Sequence, residues 1–147
     1  ILATDISTKV LNAGKRGVYS EKHMEHVPER CMRHFSRFVP PEDAAVRRRR
    51  EDQAEERYYE VSDDLKRMIS FARLNLATPP FPMKGPLDIV FCRNVMIYFD
   101  NEVRRRLLDE IYRLVRPGGY LLVGHAESLS GMLSPFKCVR PSIYVKK

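Results

Sequence analysis

Residues 87–92, Leu-Asp-Ile-Val-Phe-Cys, are an apolar run of strand length that passes directly into Arg93-Asn94. Beyond it, Asp100 is placed to cap a helix. Val103, Leu107, Ile111 and Leu114 form one apolar stripe at helical spacing, widened by Leu108 and Val115. Asp109 and Arg113 stand four residues apart, as a favourable ion pair along that helix. Arg116-Pro117-Gly118-Gly119 ends the helix, since proline cannot continue it and glycine accepts positive φ. Residues 120–124 then read as a second strand. Strands joined through helices build a mostly parallel α/β sheet with right-handed connections.

The remaining segments extend this alternation. Residues 1–6 form a short buried strand ending near Asp5. The chain opens inside that strand and without Met, so it is expected to be part of something longer. Ser7 or Thr8 caps a helix to about residue 15, and Gly14 and Gly17 stop it. Residues 21–38 are helical in spacing through Met24, Val27, Cys31 and Phe35, with Pro28 splitting them into two short helices. Residues 39–57 have almost no large apolar side chain and read as a solvated insertion. Residues 58–61 suit a strand, 63–67 a turn or one helical turn, and 69–76 a further strand. A Pro/Gly-rich loop spans 79–86, an irregular connection spans 131–141, and 143–145 form a last strand. There is no internal repeat.

The length of 147 residues fits one domain and is expected to exclude a barrel enzyme or a two-domain architecture. No apolar run reaches the ~18 residues of a membrane span. Three cysteines, Cys31, Cys92 and Cys138, are too few for a disulfide scaffold and suit a reducing compartment. The net charge of +7 and the run Arg47-Arg48-Arg49-Arg50 raise the question of nucleic acid. That run is flanked by Glu42, Asp43, Glu51, Asp52, Glu55 and Glu56 and has no interleaved aromatic residue, which favours a solvated face. His23, His26, Cys31 and His34 match no common zinc module, and no metal is expected.

Ligands of open α/β sheets bind outside the carboxyl ends of the strands. Those ends here carry Asp5, Asn75-Leu76, Arg93-Asn94 and His125-Ala126-Glu127-Ser128. Asp5 could accept hydrogen bonds from the two hydroxyls of a ribose, or could cap the next helix. Arg93 follows an apolar strand and needs an anion, either a ligand or an internal partner such as Asp88 or Asp100. Tyr98, among apolar neighbours, reads by itself as a core tyrosine.

Ordered blocks along the chain carry a resemblance. They are Ile1-Leu2-Ala3-Thr4-Asp5-Ile6, Gly17-Val18-Tyr19-Ser20, Phe71-Ala72-Arg73-Leu74-Asn75-Leu76, Asp88 through Asp100 with its Cys92-Arg93-Asn94-Val95-Met96-Ile97-Tyr98-Phe99 core, Arg116-Pro117-Gly118-Gly119, and Gly124-His125-Ala126-Glu127-Ser128-Leu129. In this order they closely resemble the bacterial chemotaxis receptor methyltransferases, the CheR family. The resemblance implies a Rossmann-like, S-adenosylmethionine-dependent methyltransferase, with S-adenosylhomocysteine as product. It implies cytoplasmic transfer of methyl groups to glutamate side chains on the cytoplasmic helices of chemoreceptors, without nucleic acid or membrane insertion. Carried over by motif, Asp5 would hold the ribose, Asn75 and Leu76 would border the adenosine, and Arg93 and Asn94 would lie by the cofactor. Arg93 and Tyr98 would be the catalytic pair at the acceptor and the reacting methyl.

Two departures shape the expectations. The family has a first strand and a Gly-rich cofactor loop ahead of the position where this chain begins. Residues 1–147 are therefore expected to be a partial methyltransferase domain with two exposed strand edges, weak in cofactor binding by itself and able to self-associate through those edges. The second departure lies in the small inserted β-subdomain, at about residues 36–68. Some members use this subdomain to grip a receptor C-terminal pentapeptide by strand addition. Residues 36–60 contain no glycine, which favours a member independent of the pentapeptide. A docking adaptor without catalysis is the competing reading, and the presence of Asp5, Asn75, Arg93, Asn94 and Tyr98 argues against it. A nucleic-acid methyltransferase is disfavoured because Arg93-Asn94-Val95-Met96 stands where an Asn-Pro-Pro-Tyr tetrad would be.

Overall fold

The computed structural model describes residues 1–39, 57–127, 129 and 135–147. The chain divides into two compact units, Ile1–Leu74 and Asn75–Lys147.

In the first unit, β1 (Leu2–Asp5) pairs in parallel with β5 (Ser70–Arg73), from Leu2 opposite Ser70 to Asp5 opposite Arg73. The helix α1 (Thr8–Arg16) follows β1. Ser7 caps it, its Oγ accepting the Val10 N–H at 3.4 Å. It ends where expected, at Gly17, whose left-handed φ of 64° favours a residue without a Cβ. Gly14 does not stop the helix. It lies inside it, because a Cβ there would stand 2.6 Å from the Phe71 ring on β5. Glycine in a helix interior costs about 1 kcal/mol, offset here by close approach of helix to strand.

Three strands of this unit form a small antiparallel sheet in the order β2-β4-β3: β2 (Val18–Ser20), β3 (Phe35–Phe38) and β4 (Tyr58–Val61). Two single-turn helices, α2 (Glu21–Met24) and α3 (Glu29–Met32), flank Pro28 as its chemistry requires. The helical reading of 21–38 fails at its end. Phe35 and Phe38 have helical spacing, but Phe38 pairs with Tyr58 and Arg37 with Tyr59 across strands. Aromatic cross-strand pairs outweigh weak local propensity. A short α4 (Asp63–Arg67) leads into β5, which is shorter than the predicted 69–76 strand. The Arg47–Arg50 run lies outside the described residues.

In the second unit the strand order is β6-β7-β9-β8. It comprises β6 (Leu87–Cys92), a 3₁₀ turn (Met96–Tyr98), α5 (Asn101–Leu114), β7 (Val115–Val123), β8 (Phe136–Arg140) and β9 (Ile143–Lys146). Asp100 caps α5 as predicted, its carboxylate accepting the Val103 N–H at 2.8 Å. Leu107, Leu108, Ile111 and Leu114 are buried, and with Met96, Val115 and Leu121 they form the core of this unit. The predicted Asp109–Arg113 pair is not made. Arg113 instead grips the buried Glu110, with Nη2 to Oε1 at 2.7 Å and Nε to Oε2 at 2.9 Å. The Phe81 N–H donates to the same carboxylate at 2.7 Å, so Glu110 also fastens the loop before β6.

The α5 helix ends at Leu114, earlier than Pro117 alone would require, because Val115 already sits opposite Leu87 in the β6–β7 ladder. The register then slips, and pairing resumes at Ile89 opposite Tyr120. In the slipped segment Gly118 has a φ of 73°. A Cβ on Gly119 would stand 2.9 Å from the Asp88 carbonyl oxygen.

The expectation of a mostly parallel sheet needs correction. Among the described residues β1–β5 and β6–β7 are parallel, whereas β2–β4, β3–β4, β7–β9 and β8–β9 are antiparallel. In the second unit β9 runs antiparallel to β7, and the segment expected to be irregular contains β8, which returns through a tight turn at Ser142 to pair with β9. Among the described residues β1 pairs only with β5, and β6 only with β7, leaving each with one unpaired edge. No described helix is long and apolar enough to cross a membrane.

Candidate active site

The richest polar architecture of the second unit stands at the carboxyl end of β6. Immediately after Cys92 the chain turns through Asn94, whose φ of 58° is left-handed. Asparagine tolerates that region better than most residues. The 3₁₀ turn follows, closed by Tyr98 N–H to the Val95 carbonyl at 3.2 Å and Phe99 N–H to the Met96 carbonyl at 3.1 Å. The Met96 side chain is buried, and its carbonyl also accepts Arg104 Nε–H at 2.7 Å.

Glu127, just beyond β7, holds this loop. Its Oε2 accepts the N–H groups of Asn94 at 2.5 Å and Gly124 at 2.8 Å. Its Oε1 accepts those of Val95 at 2.7 Å and Met96 at 2.6 Å. The residue is only 5% exposed. Burial alone would raise its pKa, but the four backbone donors together hold it below the usual carboxylate range. Cys92 lies nearby, and burial, with the Glu127 charge adding to it, pushes its thiol up to about 11. At neutral pH that thiol is protonated and is a poor nucleophile.

On this clamped loop the predicted residues are displayed outward. Tyr98 is 80% exposed, which overturns its reading as a core tyrosine. Arg93 is exposed too. Neither acid considered as its internal partner pairs with it. Asp88 binds Arg116 at 2.6 Å, and Asp100 caps α5. Among the described residues the Arg93 guanidinium and the Tyr98 hydroxyl have no hydrogen-bond or ion-pair partner. Asn94 is exposed, with its Oδ1 packed where a Cβ on Gly124 would stand, 2.5 Å away.

Asn75 and Leu76 belong to the same unit but to a separate turn. Asn75 Oδ1 accepts the Ala77 N–H at 3.0 Å, and its carbonyl accepts Thr78 Oγ1–H at 3.2 Å. The Asn75 amide nitrogen keeps its donors free among the described residues. Leu76 is half-buried. Asp5 stands in the first unit, half-buried at the carboxyl end of β1. Ser7, not Asp5, is the cap of α1. Asp5 Oδ1 accepts the Ser7 N–H at 2.7 Å, and its second oxygen has no partner among the described residues.

The histidine set does not gather. His23 Nδ1 bonds Ser20 Oγ at 2.9 Å, and His34 Nε2 accepts Arg33 Nε–H at 3.2 Å. Among the described residues no three His, Cys, Asp or Glu side chains converge as a metal site. Glu127 is the residue of this clamp that the sequence leaves unmarked. The polar end of the 120–124 strand was noted, but nothing marked this acid as a ligand of backbone amides.

A family model described as "CheR methyltransferase, SAM binding domain" matches residues 1–145. The chain belongs to this family. Its CheR relatives include the chemotaxis protein methyltransferase of Borreliella burgdorferi, 33% identical over 146 residues and 99% of this chain. That of Escherichia coli is 32% identical over 145 residues and 98% of the chain. That of Vibrio parahaemolyticus is 37% identical over 150 residues and 99% of the chain. The aligned region is 46%, 46% and 48% of these relatives, so the chain spans a little under half their length. CheR membership gives the chain the α/β fold of S-adenosylmethionine-dependent methyltransferases and S-adenosylmethionine as its cofactor. Each unit holds a polar group with spare bonding capacity: Asp5 a carboxylate oxygen without a partner among the described residues, and Asn75 a free amide donor.

Proposed function

We propose that residues 1–147 carry the acceptor side of a cytoplasmic protein-glutamate O-methyltransferase acting on the cytoplasmic helices of chemoreceptors. The observation that carries this reading is the loop after β6, which presents Arg93 and Tyr98 unpaired and exposed while its backbone is fixed from beneath. In this reading Asp5 holds the ribose, Asn75 and Leu76 border the adenosine, and Arg93 and Asn94 lie beside the cofactor. The names of the relatives, chemotaxis protein methyltransferases, support the choice of acceptor.

The chemistry asks little of the protein beyond placement. When bound, S-adenosylmethionine supplies an electrophilic methyl group on a sulfonium. A glutamate carboxylate is ionised at neutral pH, so no general base is needed. Its oxygen forms the new O–CH₃ bond as the S–CH₃ bond breaks, giving an ester and a neutral thioether. Arg93 orients the acceptor carboxylate and Tyr98 fixes it by a hydrogen bond. Carboxylate charge falls along the reaction, so Arg93 positions the nucleophile and does not stabilise the transition state.

The finer architecture belongs to the same proposal. The unpaired edge of β1 is where the family's first strand would pair, and the three-stranded β2-β4-β3 sheet is read as the subdomain expected at about 36–68, with β2 ahead of those bounds. Residues 1–147 without that strand would bind cofactor weakly and could self-associate by their edges. Calorimetric titration with S-adenosylhomocysteine tests this point, since tight binding by residues 1–147 alone would refute it. The activity itself is tested with the full-length protein containing these residues, labelled S-adenosylmethionine and a receptor cytoplasmic fragment. Base-labile label released as methanol is the expected result, and label absent from the receptor would overturn the reading.

A further inference from the structure

We propose that Glu127 is a positioning residue for the methyl transfer, acting as an internal carboxylate plug in a nest of backbone N–H groups. The inference rests on the methyltransferase reading above.

Three successive backbone amides, Asn94, Val95 and Met96, point at one carboxylate, and Gly124 adds a fourth. Consecutive N–H groups of this kind form a concavity suited to an anion. Here the anion comes from the chain itself, so the nest is filled by a side chain that is buried and cannot reach a substrate. The left-handed φ of Asn94 turns its N–H towards Glu127 while Arg93 and Asn94 remain exposed. The 3₁₀ turn bearing Tyr98 begins at Met96, whose own N–H is one of the four donors. One carboxylate therefore sets the backbone that carries Arg93, Asn94 and Tyr98.

Gly124 shows how closely the plug is fitted. A Cβ at this position would stand 2.5 Å from both Asn94 Oδ1 and Glu127 Oε2. Both atoms belong to the clamp, so the absence of a side chain at Gly124 is what lets the carboxylate and the loop meet.

A bulk structural role and a positioning role differ in chemical rescue. In the full-length protein, Glu127→Ala should lower kcat about 10- to 100-fold, the loss expected when reacting groups are misplaced by about 1 Å. The cavity it leaves is lined by four N–H donors. Added formate or acetate should therefore restore much of kcat, and chloride at equal ionic strength should not. Glu127→Gln, which fills the cavity but turns an NH₂ towards N–H donors, should lose activity without rescue. Amide hydrogen exchange at Asn94, Val95 and Met96 gives a readout independent of turnover, with protection lost in Glu127→Gln and, if it folds, regained by Glu127→Ala on adding formate. Unchanged protection of these amides in Glu127→Gln would overturn the proposal, as would a kcat within about twofold of wild type in either variant. A wild-type protein with no methyl transfer would defeat the methyltransferase reading, and the exchange data would still judge the clamp.

Discussion

Two acidic residues follow parallel strands in this chain, and they are used in opposite ways. Glu127, beyond β7, is buried and spends both carboxylate oxygens on four backbone amides. Asp5, at the end of β1, is half-buried, gives one oxygen to Ser7 N–H and keeps the other without a partner among the described residues. An acid satisfied on every side is scaffold. An acid satisfied on one side is held in place with bonding capacity left for a ligand. The residue type and the position on the strand are similar, and the count of internal donors separates the roles.

The largest effect that can test this contrast is on stability. Glu127→Ala leaves four backbone donors, two of them buried and two half-buried, without their carboxylate and should destabilise the protein by about 3–5 kcal/mol. Denaturant midpoints would show it, and a loss below about 1 kcal/mol would break the distinction. Gly124→Ala forces a Cβ against the Asn94 and Glu127 oxygens and should cost about 1–3 kcal/mol by the same measurement.

Acid should expose the same asymmetry. The folded pKa of Glu127 is lowered despite burial, and that of Glu110 is lowered chiefly by its hydrogen bond from Arg113. Both lie below the ordinary value of 4.5 expected in the unfolded chain. The stability they contribute is therefore complete above that value and is lost as pH falls through their folded pKa values. Tm should be nearly flat between about pH 7 and 5 and fall below about 4.5. Glu127→Gln should remove part of the fall, and an unchanged profile in that variant would contradict the assignment. The smallest structural effect is expected at the other acid. Asp5→Ala should cost about 1 kcal/mol or less in stability, while weakening S-adenosylhomocysteine binding to the full-length protein by about tenfold or more. A variant that binds normally would leave Asp5 no ligand role.

The sequence made legible those features whose causes are local. β6, the Asp100 cap and the α5 stripe are written in apolar spacing and capping chemistry, and they stand where they were expected. The strands β2, β3 and β8 were missed because their cause is a distant partner. Phe38 becomes a strand residue through Tyr58, and β8 carries Lys137 and Arg140 and is held by β9 on one side. The candidate site divides in the same way. Arg93, Asn94 and Tyr98 could be named from one contiguous block and do share one loop. Glu127 could not, because its partners on that loop are backbone amides 31 to 33 residues away, and a backbone amide has no signature in sequence.

In the proposed mechanism the clamped loop presents Arg93 to the acceptor carboxylate without using it to hold the fold together. The direct measurement is the steady-state kinetics of methyl transfer by full-length Arg93→Ala, paired with its Tm. The expected result is a kcat lower by about 10- to 100-fold with stability changed by no more than about 0.5 kcal/mol. Normal turnover in that variant would contradict it, as would a loss of activity that follows loss of fold.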